Sequence, residues 1–187
     1  MSYLETIESM CVLARGFFET RQGPFGQVVE ACARSLLAGG KILLFGNGGS
    51  AAEAQHFAAE LVNKFFHVRS AFPALALTTD GSTLTSIAND SAFEKVFSRQ
   101  IEALGMPGDV AIGLSTSGAS PNVLEGLRAA KAKSLVTVAL TGKGGAEMGA
   151  LADHLLDVPS KATPRIQEVH LLILHVLAEE LEERLMG

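Results

Sequence analysis

The stretch GNGGSAAEAQHFAAEL, Gly46–Leu61, decides how the chain is read. A glycine-rich turn follows a short apolar run, KILLF at 41–45, and leads straight into helix-forming residues. Strand, glycine turn and helix in that order open a βαβ unit. The rhythm repeats downstream, where ALALTT (74–79), DVAIGLST (109–116), LVTVALTG (135–142) and HLLDVP (154–159) are apolar runs separated by helical stretches. Such runs suit strands covered on both faces, so the pattern predicts an α/β fold in which a five-stranded parallel sheet is flanked by helices.

Upstream, apolar residues recurring every three to four positions predict two helices, roughly Tyr3–Glu19 and Phe25–Leu37, ended by Gly39-Gly40. The expected organisation of the 187 residues is one domain: helices over 1–40, then an α/β core over 41–187 that closes with a helix from about Pro164 to Leu185. That last helix is apolar nearly all round in VHLLILHVLAEEL, which predicts burial against another subunit.

Composition excludes several classes. A net charge of -5 does not fit a nucleic-acid surface, which needs clustered Lys and Arg. Cys11 and Cys32 have no His or Cys at metal spacing, so neither a disulfide framework nor a zinc knuckle is expected. MSYLETIESM lacks the basic-then-apolar order of a signal peptide, and the apolar run near Leu171–Ala178 is too short to span a bilayer. A soluble cytoplasmic protein with no membrane partner is the expectation.

In an open parallel sheet, ligands bind outside the carboxyl ends of the strands, and two loops there are built for an anion. In Asn47-Gly48-Gly49-Ser50, glycines let backbone N–H groups approach closely and the following helix adds its positive end. The spacing is neither a dinucleotide fingerprint nor a Walker loop. Taken alone, it reads equally well as a plain turn. In Ser115-Thr116-Ser117-Gly118-Ala119-Ser120, four hydroxyls precede another helix, which suits a phosphate monoester or an ordinary helix start. The loop Thr141–Gly145 reads as a turn with a surface lysine.

His56 and Glu60 stand four apart and share one helical face, as a surface pair or as groups addressing a common point. Thr163 is placed to cap the last helix at Pro164. His175 lies within that helix among Leu and Ile, where a histidine is either a hydrogen-bonded core residue or a tuned proton-transfer group.

Together, strand-GNGGS-helix, strand-STSGxS-helix and the terminal RIQEVH helix resemble the sugar isomerase (SIS) domain, and most closely its phosphoheptose isomerases. The resemblance spans essentially the whole chain and implies a flavodoxin-like three-layer fold whose loops grip a sugar phosphate. It also implies an aldose-ketose isomerase that converts sedoheptulose 7-phosphate to D-glycero-D-manno-heptose 7-phosphate, for the heptose of bacterial lipopolysaccharide. Glu60 and His175 would be the base and acid. Asn47, Gly48, Gly49, Ser50, Ser115, Thr116, Ser117 and Ser120 would hold the phosphate, while Gln167, Asn89 and Asp90 would contact the sugar. One zinc ion per subunit, on His56, Glu60, Gln167 and His175, and a homotetramer with sites near subunit interfaces are further implications. Eight residues of helix separate Gln167 from His175 by about 12 Å, so these two must lean together or come from different subunits. Pro164 stands where some relatives carry an acidic residue, so no contact is expected from it. The alternative is a noncatalytic SIS protein, binding a phosphosugar or associating with a replication initiator; it would lack the Glu60 and His175 pair.

Overall fold

The structure is a computed structural model and describes residues 2–186. Five strands, β1 (Ile42–Gly46), β2 (Ala74–Ala76), β3 (Val110–Ser115), β4 (Val136–Gly142) and β5 (His154–Val158), form one sheet of order β2-β1-β3-β4-β5. Every pairing is parallel, with Ile42 opposite both Ala74 and Val110. This is the predicted fold, and its order is that of flavodoxin-like proteins.

The strand residues sort by parity, as the pleat requires. Ile42 and Leu44 join a core with α1 (Tyr3–Leu37), α2 (Gly49–Val62) and α7 (Thr163–Met186). Leu43 and Phe45 face the opposite core, made with α4 (Ser98–Leu104), α5 (Pro121–Ala132) and α6 (Ala146–Leu151) and bordered by α3 (Gly81–Asp90). Phe17, Phe45 and Phe57 are fully buried, each contributing on the order of 2 kcal/mol by area.

Three expectations change. The two predicted N-terminal helices are one, Tyr3–Leu37, which opens on a Ser2–Glu5 capping box and runs through Gly23-Pro24. Pro24 cannot donate to the Thr20 carbonyl, but the Arg21 guanidinium reaches that oxygen at 3.4 Å while its Nε holds Asp157 at 2.8 Å, so the break in the ladder is covered. The last helix begins at Thr163, and Ala162 rather than Thr163 supplies the first carbonyl, to Ile166 N–H. Its apolar character is largely used within the chain: Ile166, Val169, Ile173, Leu174, Leu177, Ala178 and Leu181 are buried, while Leu172 stays exposed. Among the described residues, no helix is long and apolar enough to cross a membrane.

Candidate active site

The carboxyl ends of the neighbouring strands β1 and β3 each open into a loop and a helix start. Neither α2 nor α5 has a side-chain cap; Ser50 and Ala51 N–H donate to the Asn47 carbonyl, Val123 N–H donates to that of Ser120 and Pro121 has no N–H, so Gly49 and Asn122 N–H are the first-turn donors left for a ligand. Ser120, at the cap position of α5, turns its hydroxyl to Ser115 Oγ instead, at 2.9 Å, and Ser117 Oγ stands 3.3 Å from the same atom. Gly118 has φ +68°, and a Cβ there would collide with the Gly145 backbone, so the loop read as a plain turn walls the serine loop.

The two loops are joined by a contact the sequence does not announce. Asn47 and buried Asn122 exchange amide hydrogen bonds, each donating to the other at 2.8 Å. Gln167, from the first turns of α7, lies across Gly49 so closely that a Cβ would strike its amide. The anion loops and the last helix therefore meet at the start of α2.

Further along α2, His56 and Glu60 meet His175. His56 Nε2 is 2.9 Å from His175 Nε2 and 3.0 Å from Glu60 Oε1, and His175 Nε2 is 3.4 Å from that same oxygen. His175 is half-exposed, unlike His170 one turn earlier, which is fully buried and bonded to the Thr141 carbonyl. Burial drives the His170 imidazole down to about 4, so it stays neutral and serves as a core histidine, which leaves His175 as the α7 histidine that faces α2.

Three lone-pair atoms this close require a shared cation, a proton or a metal. Ligands about 2.0–2.1 Å from a tetrahedral zinc stand roughly 3.3 Å apart, which the three separations bracket. Glu60 Oε2 is buried without a hydrogen-bond partner, so it has lone pairs to offer a cation. The donor set thus fits zinc through His56, Glu60 and His175. Gln167 stands apart at Gly49, as the spacing along α7 foretold. Asn89 and Asp90 end α3, exposed and bonded to one another at 2.7 Å.

Two carboxylates escaped the sequence reading. Glu53, on the second turn of α2 beside Ser50, has a buried, unpartnered Oε2. Burial raises it to about 7, although a bond with Ser50 pulls the other way. Glu182 lies beneath the loop after α2. Nothing in the local pattern marks either, since both follow ordinary helical spacing.

Residues 3–142 of this parallel-sheet architecture match the SIS domain family, and the chain belongs to it. Within it the chain belongs with the phosphoheptose isomerases. It is 60% identical over 159 residues to that of Paramagnetospirillum magneticum, covering 85% of this chain and 83% of the relative. It is 54% identical over 161 residues to that of Burkholderia pseudomallei, covering 86% and 82%. The solved phosphoheptose isomerase of Neisseria gonorrhoeae superposes with a TM-score of 0.91 at 41% identity, over 96% of each chain.

Proposed function

We propose that the chain isomerises sedoheptulose 7-phosphate to D-glycero-D-manno-heptose 7-phosphate through an enediol, in the heptose supply of a bacterial lipopolysaccharide. The carrying observation is the convergence of Glu60 Oε1 and His175 Nε2, 3.4 Å apart, on the helix whose start forms the anion loop. This pair also separates the chain from a noncatalytic SIS protein.

The phosphate sits against the N-terminal N–H groups of α2 and α5, with the hydroxyls of Ser50, Ser115, Thr116, Ser117 and Ser120 as neutral donors that also let product leave. Asn47, Gly48 and Gly49 shape the cradle, and Gln167, Asn89 and Asp90 contact sugar hydroxyls. Glu60 removes the proton from C1 of the open-chain ketose while His175 protonates the C2 carbonyl oxygen, giving the enediol. Glu60 returns its proton to C2 as the O1 proton passes to the His175 imidazole, leaving an aldehyde at C1. No atom is gained or lost. His56, Glu60 and His175 would hold one zinc ion per subunit, and zinc when bound would supply Lewis-acid polarisation of a substrate oxygen.

The proposed assembly is a homotetramer, supported by the exposed Tyr3, Leu4, Ile7 and Val12 on the first turns of α1. A cytoplasmic location agrees with free thiols at Cys11 and Cys32. Incubation of the purified chain with sedoheptulose 7-phosphate, followed by NMR, tests the activity: an aldose C1 signal is expected, and binding without turnover in the presence of zinc overturns it.

A further inference from the structure

Seven residues beyond His175, on the same side of α7, Glu182 has surroundings unlike those of a surface carboxylate. Its Oε1 accepts the Phe65 N–H at 2.8 Å and Arg69 Nε at 2.9 Å, while Oε2 accepts the N–H groups of Phe66 at 2.8 Å and His67 at 3.0 Å. The Glu182 side chain is 1% exposed and that of Arg69 3%. Burial alone would raise the carboxyl; the three N–H groups and the guanidinium outweigh it and hold it below its ordinary value.

Arg69 spends its remaining donors on the end of α2. Nη2 reaches the Glu60 carbonyl at 2.9 Å, and Nη1 reaches those of Leu61 at 2.8 Å and Ser70 at 3.0 Å. The guanidinium lies 3.7 Å over the Phe72 ring. The segment held by Glu182 also carries Phe65, whose ring lies against His175 with centroids 5.7 Å apart. One buried ion pair thus touches the backbone of one acid-base residue and, through one phenyl ring, the side chain of the other.

Such a pair is a poor source of net stability, because desolvation offsets most of its attraction. Its effect is geometric. We infer that Glu182 and Arg69 are positioning residues for the isomerase: they clamp the segment after α2 so that Phe65 backs the His175 imidazole, and they fix the helix end that bears Glu60. The inference rests on the isomerase reading for its kinetic consequence, but the clamp can also be observed without turnover.

The test uses the full chain with Glu182→Gln, Phe65→Leu and the double variant, each compared at equal folded concentration. Both single variants are expected to lower kcat at least about tenfold, since small misplacements of acid-base groups are costly. KM is expected to stay within about twofold, because the anion loops lie at the far end of α2. The double variant should be no worse than the poorer single, since the Phe65 contact with His175 is already lost once Glu182 no longer holds the segment. In imidazole NMR spectra, Glu182→Gln should move the His175 ring signals and leave those of His170 in place. A kcat within twofold of the parent in either folded single variant, additive losses in the double, or His175 and His170 signals moving together would overturn the proposal. If Glu182→Gln does not fold, Phe65→Leu leaves the ion pair intact and its kcat decides. A parent chain inactive on sedoheptulose 7-phosphate refutes the activity reading, while the His175 spectrum still judges the clamp.

Discussion

Glu53→Gln isolates the carboxyl that stands beside the anion loop. In the folded chain this group protonates at about 7 against an ordinary 4.5, with burial as the main cause and the Ser50 hydrogen bond opposing it. Between those values the folded state keeps a proton that the unfolded state has released, so stability falls as pH rises across the window. Above it, Glu53 is ionised in both states and the whole cost of a buried, half-satisfied carboxylate is present. The interval corresponds to about 3 kcal/mol when taken at face value, and partial solvent access reduces it to about 1–2 kcal/mol. The amide keeps the shape and carries no charge, so Glu53→Gln should match the parent near pH 4.5 and exceed it by that amount at pH 8. For a chain of this size, the gain is a rise in Tm of about 2–8 °C. Thermal unfolding of both proteins at pH 4.5, 6 and 8, in phosphate-free buffer, measures it. A Tm difference that does not change with pH would refute the reasoning, because it would mean that ionisation of Glu53 costs the fold nothing.

Glu60→Gln and His175→Ala should each lower kcat by about 10²–10⁴ while Tm stays close to the parent's, measured by NMR turnover and thermal melts; near-normal rates in both would reject their roles. Gly118→Ala should destabilise the chain by about 1–3 kcal/mol, seen as a lower urea midpoint, because φ +68° and the Gly145 backbone both exclude a Cβ. Elemental analysis of unsupplemented protein should find about one zinc per subunit, and His56→Ala should weaken zinc affinity at least about tenfold in chelator competition. Substoichiometric zinc in a fully active preparation would count against the metal's role.

The sheet was legible because five apolar runs with intervening helices leave few arrangements, and all five strands appear where the runs stand. The two loops were legible for a similar reason, since glycine- and serine-rich stretches at strand ends have a local signature. What escaped the sequence acts through space. Pro24 reads as a helix break until Arg21 is seen covering the Thr20 carbonyl. Asn122 looks like one more helical residue, yet it joins the two loops. Glu182 and Arg69 are 113 positions apart, and nothing in either neighbourhood marks a buried pair. Gln167 was placed among the metal ligands by resemblance, whereas its amide lies over Gly49, so within one chain it meets the anion loop rather than His56.

The meeting of His56 with His175, 119 positions away, follows from the point where the strand order reverses. From β1 the chain steps outward to β2, then returns past β1 to β3 and proceeds through β4 to β5. Crossovers between parallel strands are right-handed, so a change of direction moves the connecting helix to the opposite face. Accordingly α2 lies on one face, while α4, α5 and α6 cover the other. The terminal helices α1 and α7 share the face of α2, which makes α7 its neighbour. The reversal that opens the crevice between β1 and β3 therefore also sets the helix leading out of that crevice against the last helix of the chain. Had every crossover run in one direction, α2 would lie in a row with α5 and α6, and His175 would face no carboxylate from α2.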